Sequence, residues 1–89
     1  MQDHKHRLDE LRQEVDRIDD ELIVLLSKRF DLAESIADLK LQASLPIYSP
    51  EREARILNRL PTDLHRQVFT VILEVSRALQ AERQHRHSS

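Results

Sequence analysis

The chain has 89 residues, of which 39% are hydrophobic and 34% charged, and a formal charge of −2. That length buries only a modest core unaided, so association is expected from size alone. The near-neutral charge and 3% aromatic content supply neither a basic field nor a stacking platform for nucleic acid, and the lack of cysteine excludes a disulfide frame and a thiolate zinc site. A cysteine-free composition fits a reducing cytoplasm. The longest apolar run, Leu22 to Leu26, is far too short for a membrane span or a signal core, so a soluble cytoplasmic protein is expected. Histidines do not suggest a metal site, because His4 and His6, like His85 and His87, stand two apart, whereas residues sharing a helix face stand three or four apart.

An absence of glycine and only three prolines point to an all-α chain of helices joined by tight connections. Helix one is expected over about residues 7–42, where Leu8, Leu11, Val15, Ile18, Leu22 and Leu25 recur at alternating steps of three and four. The next position is Arg29, and the pattern resumes at Leu32, Ile36 and Leu39. A second row runs through Leu26, Phe30, Ala33 and Ala37. Such a helix is roughly 50 Å long at ~1.5 Å per residue, against a radius of gyration of about 12 Å for a compact chain of this size. It overhangs any monomeric core, so both apolar rows are expected to need a partner chain, most simply in an intertwined antiparallel homodimer.

The segment from Leu45 to Tyr48 is an extended connection, because Pro46 pushes the residue before it out of the helical region. Ser49-Pro50-Glu51 reads as a helix start, with serine as N-cap and proline in the first turn, and helix two is expected over about 50–60. Pro61 stops it, and Thr62 or Asp63 caps helix three, expected over about 63–84 with Val68, Phe69, Ile72, Val75 and Leu79 as its apolar positions. Residues 85–89 are polar and expected to fray. Residues 1–89 thus read as one domain of three helices.

An arginine in an apolar seam implies an acidic partner or an anionic ligand. Lys40 lies within about 20° of Arg29 around the axis and about 16 Å along it. The two either clamp a small dianion or snorkel to solvent. Arg12 stands about 25 Å from Arg29 along the same helix and cannot reach the same ligand, but an antiparallel partner crossing near residue 23 would set Arg12 of one chain opposite the Arg29 to Lys40 interval of the other. Ser76 and Gln80, four apart, share a face of helix three and read either as the edge of its apolar stripe or as neutral donors beside a ligand. Glu53 reads as a surface carboxylate or as an acceptor for a ligand hydroxyl.

Together these residues resemble the all-helical, type II chorismate mutases. The resemblance rests on Leu11-Arg12, Ile18-Asp19 with Leu22, Leu25-Leu26-x-x-Arg29, Lys40, the run Pro46-Ile47-Tyr48-Ser49-Pro50-Glu51-Arg52-Glu53, and Ser76-Arg77-Ala78-Leu79-Gln80. It implies a homodimer that converts chorismate to prephenate on the route to phenylalanine and tyrosine. Arg29 and the partner's Arg12 would bind the substrate carboxylates. Lys40 and Gln80 would donate to the ether oxygen, Glu53 and the Ser49 backbone amide would hold the hydroxyl, and Ser76 would contact a carboxylate with Arg52 as a supporting cation.

An intramolecular [3,3] rearrangement needs no nucleophile, metal or cofactor, and none is expected. Two departures stand out: Ser49 replaces the aspartate of many relatives, and the connection from Leu60 to Leu64 is short. The alternatives are an isochorismate pyruvate lyase, whose members tend to lack a glutamate at the position of Glu53, and a non-catalytic regulatory helical dimer.

Overall fold

The computed structural model describes the backbone of residues 2–88 and the side chains of residues 3–87. Three helices follow in order, α1 (Gln2–Gln42), α2 (Pro50–Asn58) and α3 (Asp63–Ser88), with no strand among the described residues. α1 starts earlier than the expected residue 7. Asp3 lies in the first turn, where the helix dipole favours an anion, and Glu10 receives both Arg7 at 3.5 Å and His6 at 3.0 Å across one turn.

α1 ends in a Schellman turn. The Leu45 N–H donates to the Lys40 carbonyl at 2.8 Å, the Ser44 N–H donates to Leu41 at 3.2 Å, and Ser44 has φ 56°. In a chain without glycine, a serine takes the left-handed position. α2 starts as expected, with Ser49 Oγ accepting from the Arg52 N–H at 3.4 Å. It stops at Asn58 rather than near 60, because Pro61 disfavours helical geometry at Leu60, whose N–H instead closes a turn onto Leu57 at 3.2 Å.

Thr62 caps α3, its hydroxyl accepting from the His65 N–H at 3.3 Å. The expected fray at 85–88 is replaced by helix, and Ser89 lies outside the described residues. The end is tied back onto α1. Arg83 bonds Asp38 and Glu34, each at 3.1 Å, Gln84 Nε2 donates to the Ala37 carbonyl at 2.9 Å, and His87 lies 3.6 Å from Asp38. These are polar contacts between distant parts of the chain, so hydrophobic periodicity carries no trace of them.

α3 runs in the same direction as α1, its start beside Leu22 to Leu26 and its end beside Ala37 and Asp38. It therefore covers the second apolar row: Ala33 and Ala37 are buried, and Leu26 and Phe30 are half-buried. Its Ala33 to Ala37 part needs no partner chain, contrary to expectation, because the third helix of the same chain covers it, while an apolar space of about 470 Å³ stays open beside Leu26. The first row is different. Leu8, Leu11, Val15, Ile18, Leu22, Leu25, Leu32, Ile36 and Leu39 all remain exposed, and among the described residues the buried apolar core is only Ala33, Ala37, Ile56 and Leu73.

The chain measures 62 × 28 × 14 Å with a radius of gyration of 18.0 Å, well above the ~12 Å of a compact chain of this length. Among the described residues no helix is long and apolar enough to cross a membrane.

Candidate active site

α2 leans on α3 and makes no comparable packing with α1. The gap so left between α1 and α2, floored by α3, is a cavity of about 480 Å³. α1 contributes Arg29, Ala33, Ile36 and Lys40, spaced four, three and four apart and hence on one face. The connection contributes Ile47 and Ser49, α2 contributes Arg52, Glu53 and Arg55, and α3 contributes Leu73, Ser76, Arg77 and Gln80. Of the residues singled out in the sequence, Arg29, Lys40, Ser49, Arg52, Glu53, Ser76 and Gln80 meet here. Arg12 does not, lying farther up α1 on the exposed overhang.

The connection fixes Lys40 at both ends. Its carbonyl accepts from Leu45, and its half-buried ammonium donates to the Ile47 carbonyl at 2.7 Å. An ionised donor makes that bond stronger than a neutral one. Arg29, Arg52 and Arg55, by contrast, form no ion pair among the described residues. Three unpaired guanidinium groups and a lysine around one cavity give it a positive field suited to a small polyanion.

Ser76 and Gln80 are buried polar residues on the cavity floor. Gln80 Nε2 donates to Ser76 Oγ at 3.2 Å, and Gln80 Oε1 is buried with no partner. Leaving such an atom unsatisfied among the described residues costs about 1–3 kcal/mol, which favours the opposite orientation of the amide. Because amide oxygen and nitrogen are nearly isosteric, turning the group over lets Oε1 accept from the Ser76 hydroxyl and frees an N–H donor.

Arg77 is the participant that periodicity and spacing passed over. It pairs with Glu53 of α2, and its guanidinium carbon lies 5.1 Å from the centre of the Tyr48 ring. The Glu53 hydrogen bond raises the Arg77 pKa above its ordinary value, so the arginine is charged at every working pH. Its spacing from Leu73 and Gln80, four and three residues, was the available signal.

A family model described as chorismate mutase type II matches residues 11–81. The chain belongs to the type II chorismate mutase family. A chorismate mutase of Methanocaldococcus jannaschii is 31% identical over 85 residues, covering 85% of this chain and 86% of that protein. A bifunctional chorismate mutase/prephenate dehydratase of Aquifex aeolicus is 45% identical over 62 residues, 70% of this chain but only 17% of that protein. The T-protein of Haemophilus influenzae is 48% identical over 50 residues, and the chain spans 13% of it. Among solved structures, a conserved hypothetical protein from Pyrococcus furiosus superposes with a TM-score of 0.76 at 41% identity, covering 82% of this chain and 93% of that one. The family match ends at residue 81, so the Arg83 and His87 ties to Asp38 lie beyond it.

Proposed function

We propose that this chain is a cytoplasmic, homodimeric chorismate mutase, an isomerase that converts chorismate to prephenate on the route to phenylalanine and tyrosine. The observation that carries the reading is the cavity itself, where unpaired cations from α1 and α2 line the same space as the buried Ser76 and Gln80 of α3. Chorismate is a dianion with one ring hydroxyl and one ether oxygen, and the cavity's own residues suit one carboxylate, the hydroxyl and the ether oxygen.

Arg29 binds one carboxylate, with Arg52 in support and Ser76 as a neutral contact. Arg12 of the partner chain binds the other. An antiparallel partner crossing near residue 23 brings Arg12 opposite the Arg29 to Lys40 interval, and the exposed seam from Leu8 to Leu39 is the surface on which it lies. Glu53 and the Ser49 amide take the ring hydroxyl. Lys40 and the Gln80 amide, turned so that its N–H faces the ligand, donate to the ether oxygen.

The reaction breaks the bond from the ring to the ether oxygen while the enolpyruvyl methylene forms a new bond to the ring. No atom is gained or lost. The protein's work is to hold the compact conformer in which the reacting ends meet, and to meet charge growing on the ether oxygen with donors already in place. Retention of Glu53 favours the mutase over an isochorismate pyruvate lyase.

The test is incubation with chorismate and, separately, isochorismate, with products identified by chromatography. Prephenate from chorismate, abolished by Arg29→Ala in a protein that stays helical, is the expected result. Salicylate and pyruvate from isochorismate alone would replace the mutase by the lyase, and turnover of neither substrate would leave a non-catalytic helical dimer.

A further inference from the structure

Arg77 has no part in the roles assigned above, yet it joins the three segments that build one wall of the cavity. It projects from α3, pairs with Glu53 of α2, and lies over the ring of Tyr48 in the connection. α2 makes no comparable packing with α1, so its position depends on α3, through buried Ile56 and through this arginine. The Glu53 side chain is only 18% exposed and that of Arg77 34%, so bulk water screens the pair only in part.

A carboxylate has two oxygens and room for about four hydrogen bonds. Arg77 takes Oε1 of Glu53, and no hydrogen bond reaches Oε2 among the described residues. A guanidinium carbon 5.1 Å from a ring centre is within cation–π reach, so the Tyr48 ring helps to hold the arginine and the arginine holds the carboxylate. We propose that Arg77 is a positioning residue for the hydroxyl end of the cavity: anchored on Tyr48, it holds one oxygen of Glu53 and leaves the other to accept the ring hydroxyl of the substrate. This inference rests on the mutase reading and adds to it a residue that acts through Glu53 without touching the reacting atoms.

The test is a double-mutant cycle in kcat/KM for chorismate with Arg77→Met, Glu53→Gln and the double variant, each checked for helicity and sedimentation. A hydrogen bond to a charged group is worth enough that Glu53→Gln should lower kcat/KM about 10- to 100-fold. Arg77→Met should lower it about tenfold, and the double variant should fall within about threefold of Glu53→Gln alone, because a residue acting through Glu53 has nothing left to act on. Arg77→Lys should recover part of the loss, since it returns the charge but not the planar fork.

Losses that multiply in the double variant, or an Arg77→Met enzyme indistinguishable from wild type, would overturn the positioning role while leaving the mutase reading intact. A wild-type protein that does not turn over chorismate would overturn both. Should Arg77→Met fail to fold, Arg77→Ala completes the same cycle, as it too removes the hydrogen bond to Glu53.

Discussion

Ile18→Ala tests the proposed dimer at one side chain of the seam. Ile18 is 56% exposed in the single chain, and full burial of an isoleucine contributes about 1.5–3 kcal/mol, so covering what remains contributes about 1–1.5 kcal/mol. A two-fold dimer contains the residue twice, which brings the loss to about 2–3 kcal/mol, or a dissociation constant about 30- to 150-fold weaker at ~1.4 kcal/mol per tenfold. Alanine is the better helix former, so fraying of α1 would not explain such a loss. Sedimentation equilibrium over a range of concentrations gives the constant directly. Specific activity should fall with dilution along the same curve, because the proposed site takes Arg12 from a partner. A wild-type protein that sediments as a monomer yet turns over chorismate, or an Ile18→Ala dimer as tight as wild type, would refute the reasoning.

Other expectations concern single residues. Lys40→Ala should lower kcat about 10²- to 10³-fold, the usual loss of a preorganised donor, with unchanged helicity by circular dichroism; a rate within tenfold of wild type would remove Lys40 from the mechanism. Gln80→Met should abolish most activity and lower the unfolding free energy in urea by no more than about 1 kcal/mol, because it keeps the volume of the side chain and gives up one neutral hydrogen bond to Ser76. Ser44→Gly should stabilise by about 0.5–1 kcal/mol in the same assay, since a non-glycine residue is disfavoured at φ 56°. The Arg83 hydrogen bond lowers the Asp38 pKa, with His87 adding to the effect and partial burial opposing it. A depressed carboxylate pKa stabilises above the unfolded value of ~3.9 and is lost as pH falls below it. Melting temperature should therefore drop more steeply below about pH 4 in wild type than in Asp38→Asn, and parallel curves would discount the pair.

What could be read in the chain was whatever leaves a local pattern. The seam, the Ser49-Pro50 start of α2 and the Pro61 break all rest on near neighbours, and the structure has each of them. Arg29, Lys40, Ser76 and Gln80 were singled out because polar residues interrupt or border apolar rows, Glu53 as a candidate acceptor for a ligand hydroxyl, and all five converge on one cavity. The Ala33 to Ala37 part of the second apolar row was misassigned to a partner because periodicity says that a face is covered and not by what; α3 runs alongside α1 and covers it. Extension of α3 to Ser88 was missed for a related reason, since Arg83, Gln84 and His87 reach across more than forty residues to Ala37 and Asp38. Arg77 was equally silent, because its partners Glu53 and Tyr48 lie on other segments.

The turn that ends α1 has a consequence for how this protein can diverge. Surface connections ordinarily absorb insertions and deletions more freely than helices do. Here the segment from Ala43 to Ser49 grips Lys40 twice, through the Leu45 N–H and the Ile47 carbonyl, and then delivers Ser49 as the cap of α2. Adding or removing one residue would change which carbonyl meets the ammonium and rotate the start of the next helix. Its letters can drift only away from Tyr48, which lies under Arg77, and Ser49, which caps α2, while its count should hold among homologues.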